Sequence, residues 1–156
     1  AVRDGPATIV EVGAHHGDCG LVLAGALRSV PGFRAVLYEP GVLALDRMRR
    51  SVQANNMQNV ELRGAAIGGT EGVMKTFGFA ASPVLRVGEK DPYNRTTDAT
   101  SVVSVTTLSA DLNFPVTVLI LHVPYPQAEL FKAARAFLVD PRRGARLLVI
   151  RMHMAE

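Results

Sequence analysis

The sequence has few of the devices that hold small secreted domains together. Of its 156 residues only Cys19 is a cysteine, so neither an internal disulfide nor a cysteine zinc cluster can form. A single cysteine fits a reducing, soluble intracellular compartment, an organelle included. Long hydrophobic runs are also missing. The longest nearly apolar stretch, Val116 to Val123, contains Thr117 and His122 and falls well short of the ~18 residues that a membrane-spanning helix needs. Charge of one sign is scarce as well. Seventeen Lys and Arg against fourteen Asp and Glu leave +3, and the basic side chains are scattered apart from Arg47, Arg49 and Arg50 and the pair Arg142-Arg143. A nucleic-acid partner is therefore not indicated. The start, Ala-Val-Arg, has neither an initiator Met nor a signal-like apolar core, which reads as a processed chain or as a piece of a longer one.

What remains is an ordinary globular composition, 48% apolar and 20% charged in 16.7 kDa, enough for one folded domain over residues 1–156. Short β-rich runs alternate with helical stripes. Ala7 to Val12 reads as a strand ending at Gly13. Asp18 then opens a helix with Leu21, Ala24 and Leu27 on one face, stopped by Pro31-Gly32. Phe33 to Tyr38 is the second strand, and Pro40 precedes a helix with Val42, Leu45, Met48 and Val52 inward and its arginines in solvent. Asn59 to Leu62 resumes strand character. Residues 68–100, rich in Gly, Ser and Thr with Pro83 and Pro92, read as an irregular or hairpin insertion. Ser101 to Thr106, a Leu108 to Leu112 turn, the apolar Val116 to Leu121, a helix around Leu130 to Phe137 and a strand at Arg146 to Ile150 follow. Strands alternating with helices predict an α/β fold with a mostly parallel sheet covered on both faces.

Chemistry concentrates in Glu11-Val12-Gly13-Ala14-His15-His16-Gly17-Asp18. A glycine-bearing turn between a first strand and a first helix lets the backbone approach a ligand. Its acidic-x-Gly-x-x-x-Gly spacing differs from the Gly-x-Gly-x-x-Gly of dinucleotide sites. It suits S-adenosylmethionine better, since that cofactor has no pyrophosphate to cradle. Glu39, 22 residues after Gly17 and at the end of the second strand, is placed to accept from both ribose hydroxyls. The same residues also suit ligand-free roles: the glycines a tight turn, and Glu39 a helix start. His15 and His16 read as turn residues pointing in different directions, with no metal assigned to them.

Glu11 to Asp18, Tyr38-Glu39-Pro40, Asn55-Asn56 before Asn59 to Leu62, Ala65-Ala66-Ile67-Gly68, Val105 to Leu108, and Ala128-Glu129-Leu130 together resemble, in order, the FkbM-type branch of class I S-adenosylmethionine-dependent methyltransferases. The resemblance implies a three-layer Rossmann-like fold. It also implies a cofactor site of Glu11, Gly13, Ala14, Gly17, Glu39, Ala65 and Ala66, in which Gly13 and Gly17 face the methionine part of the cofactor, Glu39 its ribose, and Ala65 and Ala66 lie beside its adenine. The family fold continues past the fifth strand with a helix and an antiparallel hairpin. The expectation here is a sheet without those last strands, its open edge covered by other protein subunits.

The acceptor half departs from that pattern. Where the family has a Lys-Ile-Asp-Val-Glu-Gly run, this sequence has His122-Val123-Pro124-Tyr125-Pro126-Gln127, so Pro124 and Pro126 stand at two acidic positions, and Arg151 replaces a third acid. Prolines supply neither a base nor a metal ligand for methylating a hydroxyl. No catalytic residue is assigned. The sequence therefore suggests a catalytically degenerate domain serving as a non-catalytic subunit of a larger assembly. The alternative is an active O-methyltransferase on a small-molecule, sugar or lipid hydroxyl.

Overall fold

The computed structural model describes residues 6–77, 85–86, 100–122 and 127–150. Strand β1 (Thr8–Val12) leads through a turn into helix α1 (Gly20–Ala26), strand β2 (Arg34–Tyr38), helix α2 (Val42–Ala54) and strand β3 (Val60–Arg63). Next come β4 (Ala65–Ile67), β5 (Gly72–Phe77), β6 (Leu85–Arg86), β7 (Thr100–Thr106), α3 (Leu108–Asp111), β8 (Val118–Leu121), α4 (Gln127–Leu138) and β9 (Leu147–Ile150). Five strands form a parallel sheet in the order β3-β2-β1-β8-β9. The order reverses between β1 and β8, and in open α/β sheets ligands bind beyond the carboxyl ends of the strands at such a switch.

Period-two alternation sorts the sheet residues between two cores. Val10, Val12, Val36, Tyr38, Leu119 and Leu121 face α3 and α4, packing with Leu108, Leu112, Leu130 and Phe137. Ile9, Ala35, Leu37 and Ile120 face the other way, packing with Ala24 of α1 and with Leu45 and Met48 of α2. The result is the three-layer α/β arrangement expected from the sequence. On the α1 side, no described helix lies over β8 and β9. A cavity of about 630 Å³ opens there, with Ile9, Leu23, Val118, Ile120, Leu147 and Val149 in its lining. At the sheet's edge, β9 leaves Leu147, Val149 and Ile150 from 40% to 55% exposed.

Several local expectations shift. Helix α1 begins at Gly20 rather than Asp18, and Ala44 takes the buried place expected of Val42, which is 51% exposed at the start of α2. Arg47, Arg49 and Arg50 lie in solvent as expected, with Arg50 paired to Asp46 one turn back at 2.7 Å. The segment Ser101 to Thr106 joins a second sheet, β4-β7-β5-β6, whose β5 and β7 run antiparallel. That hairpin frames the 68–100 insertion, most of which lies outside the described residues.

A polar cluster joins the ends of β2 and β3 to α3. The Tyr38 hydroxyl donates to Asp111, and Arg63 donates to Tyr38 Oη at 2.7 Å, to Asp111, and to Glu61 Oε1 at 2.7 Å. Burial first, then the bond to Asp111, holds the Tyr38 phenol above its ordinary range.

Gly20 is where chain approach is tightest. A Cβ there would lie 2.3 Å from a Leu37 methyl and 2.5 Å from a Glu11 oxygen, whereas at Gly25 it would meet only the Met57 methyl at 3.5 Å. Gly20→Ala is therefore expected to destabilise the domain by about 1–3 kcal/mol through overpacking. Gly25→Ala, in the same helix, should gain up to ~1 kcal/mol from reduced backbone entropy. Urea unfolding of both variants checks the pair; equal effects would contradict the packing.

Candidate functional site

The site grows from the β1–α1 turn. After Val12 the chain adopts left-handed conformations at Gly13 (φ +78°), His15 (φ +52°) and Gly17 (φ +84°). A Cβ at Gly17 would also lie 2.5 Å from Leu21, so both its backbone angle and its space exclude a side chain. His15 is the exception, since an L residue enters this region at a cost, though His, Asn and Asp tolerate it better than most.

The N–H groups of this turn are turned inward. Gly13 and Ala14 both donate to the Tyr38 carbonyl at 2.9 Å, and Gly17 donates to the Ala14 carbonyl at 2.7 Å. His15 donates to Glu39 Oε2 at 2.7 Å. Four N–H groups that a phosphate-binding loop would aim at an anion are thus satisfied within the protein.

Glu39 lies at the end of β2, next to the end of β3, where its own N–H donates to the Arg63 carbonyl at 3.0 Å. Its other oxygen, Oε1, accepts from Gly41 N–H at 2.6 Å. The residue is only 5% exposed. Burial raises its carboxyl above the ordinary range, outweighing the Gly41 and His15 donors that favour the ionised form. Ala65 and Ala66 follow Arg63 in β4, with Ala66 buried, so the structure gathers Gly13, Ala14, Gly17, Glu39 and the Ala65-Ala66 pair around the carboxyl ends of β1, β2 and β3.

Glu11 plays a different part. It is 1% exposed, and its Oε2 accepts from Gly20 N–H at 2.8 Å, tying β1 to the first residue of α1. Its side chain faces the cavity on the α1 side of the sheet, beside Cys19 and His122, rather than the mouth of the turn. Gly20, which makes room for this carboxylate, was not singled out in the sequence. Its signal was a third glycine three residues after Gly17. His15 and His16, expected to point apart, have ring centroids 3.8 Å apart with planes tilted by 57°. Burial first, then the neighbouring His16, holds His15 below its ordinary value. Among the described residues no group of three or more His, Cys, Asp or Glu is arranged to hold a metal, and no helix is long and apolar enough to cross a membrane. A second cavity, about 770 Å³, lies on the outer side of α1 between His16-Gly17-Asp18 and the Asn55–Asn59 loop; Glu39 lines neither cavity. Pro124, Tyr125, Pro126 and Arg151 lie outside the described residues, while His122 before them donates its N–H to the Val12 carbonyl at 2.9 Å.

No protein-family model matches the chain, and no curated protein matches it. Among solved structures it is similar to the crystal structure of methyltransferase FkbM from Methylobacillus flagellatus KT, with a TM-score of 0.51 and 18% identity over 84% of this chain. The chain has a methyltransferase fold. At that identity the likeness speaks for the fold alone, and the chain spans 29% of the length of the structure it matches. The Gly13–Gly17 turn follows β1, which borders the switch point of this methyltransferase fold, and Glu39 lies one strand over, at the end of β2.

The raised Glu39 value has a consequence for stability. In the interval above its ordinary value of 4.5 the native state holds a proton that the unfolded chain has released. The contribution is therefore fully present at lower pH and is lost as pH rises through the folded value. Glu39→Gln removes this dependence. The urea midpoint of the native sequence, relative to that of the variant, should fall as pH rises through this interval; a flat or rising difference would contradict burial as the dominant cause.

Proposed function

We propose that this chain is a methyltransferase-fold domain that keeps an S-adenosylmethionine site and has lost the acceptor chemistry, serving as a non-catalytic subunit of a larger assembly. The observation that carries the cofactor reading is the inward satisfaction of the turn N–H groups at Gly13, Ala14, His15 and Gly17 beside the Glu39 carboxylate. Such a turn disfavours a phosphate and favours a ligand that brings hydroxyl or ammonium donors. Each Glu39 oxygen accepts one backbone N–H and has one further lone pair, the acceptor set that a vicinal diol of a ribose requires. The residues present fit the cofactor on this test. Gly13, Ala14 and Gly17 would hold its methionine part, Glu39 its ribose, and Ala65 and Ala66 its adenine, while Glu11 anchors Gly20 at the start of α1. When bound, it would supply an activated methyl group.

Loss of acceptor chemistry is supported by the sequence at Pro124, Pro126 and Arg151, where the resembled family carries acids. A partner subunit is supported by Leu147, Val149 and Ile150, which among the described residues are exposed on β9 at the sheet's edge, an apolar surface that another polypeptide or a further segment of a longer chain would cover. An active O-methyltransferase acting on a small-molecule, sugar or lipid hydroxyl is the second reading, favoured by the intact turn and by the activity named for the matched structure.

Calorimetric titration with S-adenosylmethionine and S-adenosylhomocysteine tests the cofactor site. Saturable binding is expected, with thermal stabilisation of roughly 2.7 kcal/mol, or about 5–10 °C, at ~100 times the dissociation constant. Glu39→Ala should abolish it, and no methyl transfer to candidate hydroxyl acceptors should follow. Binding accompanied by turnover establishes the second reading. A folded domain that binds neither compound refutes the cofactor site.

A further inference from the structure

We propose that Glu39 is the positioning residue of the Gly13–Gly17 turn: by bridging the backbone N–H groups of His15 and Gly41, its carboxylate holds His15 in the left-handed conformation on which the shape of the turn depends. This inference rests on the cofactor reading of the turn and deepens it. A direct contact between Glu39 and ribose would explain an effect on affinity, but it would not explain an effect on the free protein.

The hydrogen bonds divide the turn into three parts. Its first part hangs on the Tyr38 carbonyl through Gly13 and Ala14, and its last part closes on itself through Gly17 and Ala14. His15, in the middle, donates its N–H to a side chain, Glu39 Oε2. His15 is also the turn's only non-glycine residue with positive φ, so the position under conformational strain is the one that Glu39 grips. The grip is itself anchored. Glu39 donates its N–H to the Arg63 carbonyl, and Gly41 closes on Oε1 from the other side, where a Cβ would lie 2.7 Å from that oxygen. One residue thereby links the end of β3, through its backbone N–H, with the start of α2 and the middle of the β1–α1 turn, through its carboxylate. These are the segments that would meet the adenine, ribose and methionine parts of the cofactor.

Conservative chemistry separates this role from a ligand contact. In Glu39→Gln the amide keeps one acceptor oxygen and turns an NH₂ donor toward the other N–H, so one of the two bonds is lost without a change of volume. His15→Gly removes the cost of the left-handed conformation whatever residue 39 is. The experiment measures amide hydrogen exchange by NMR in the free protein for the native sequence, Glu39→Gln and the double variant Glu39→Gln/His15→Gly, followed by titration of each with S-adenosylhomocysteine.

The expected result is protection of the His15 and Gly41 amides in the native protein. Glu39→Gln should reduce that protection at least tenfold at one or both amides, with β1 and β2 still protected. S-adenosylhomocysteine affinity should fall about tenfold or more in Glu39→Gln and recover severalfold when His15→Gly is added. Unchanged exchange at both amides in Glu39→Gln overturns the proposal, as does lost affinity that His15→Gly leaves unrecovered. If the native protein binds no S-adenosylhomocysteine, the cofactor reading fails, and the exchange data still decide whether Glu39 holds the turn.

Discussion

A carboxylate that is 5% exposed must find donors or give up its charge, and the position of Glu39 follows from that requirement. It follows Tyr38 at the end of a strand whose side chains alternate between two cores, and the alternation directs it to the same side as Leu37. The donors within reach are the backbone N–H groups of two turns, at His15 and at Gly41. Satisfying Glu39 thus fixes the loop after β1 relative to the start of α2. Glu11 does the equivalent one strand over, drawing Gly20 N–H onto β1 and setting where α1 begins. Two buried acids, each paired with backbone, thus order the carboxyl ends of the neighbouring strands β1 and β2.

This arrangement distinguishes the site from a nucleotide-phosphate loop that uses the same strand–turn–helix scaffold. Phosphate sites leave backbone N–H groups pointing outward, and their glycines allow the anion to come close. Here Tyr38, Ala14 and Glu39 take up the N–H groups of residues 13, 14, 15 and 17. The hydrogen-bond inventory of the turn is read from the chain's own geometry, independently of the likeness of its fold to a methyltransferase structure.

Much of the main sheet was legible because its strands are short apolar runs closed by Gly, Pro or Asn, and β1, β2, β3, β8 and β9 all lie within a residue or two of the expected places. The second sheet was not. Its β4–β7 pairing joins Ala65 to Ser104 and Ile67 to Thr106, and partners so far apart in sequence leave no local periodicity. Val42 misled because helical spacing says which residues share a face but not where the helix overhangs the sheet, and Ala44 lies inward instead. In the site, Gly13, Gly17 and Glu39 stood out by spacing. The left-handed His15 and the close packing at Gly20 did not, since each depends on a side chain from another strand.

The central claim is that the carboxyl ends of β1, β2 and β3 form one ligand-reading surface organised by Glu39. An amide NMR titration of the native protein with S-adenosylhomocysteine, run beside one with ADP, addresses it most directly. The account predicts saturable shifts at Gly13, Ala14, Gly17, Gly41, Ala65 and Ala66 with S-adenosylhomocysteine and none at these amides with ADP at the same concentration. Shifts confined to the Asn55–Asn59 groove, or an equal response of the turn to both compounds, would contradict it.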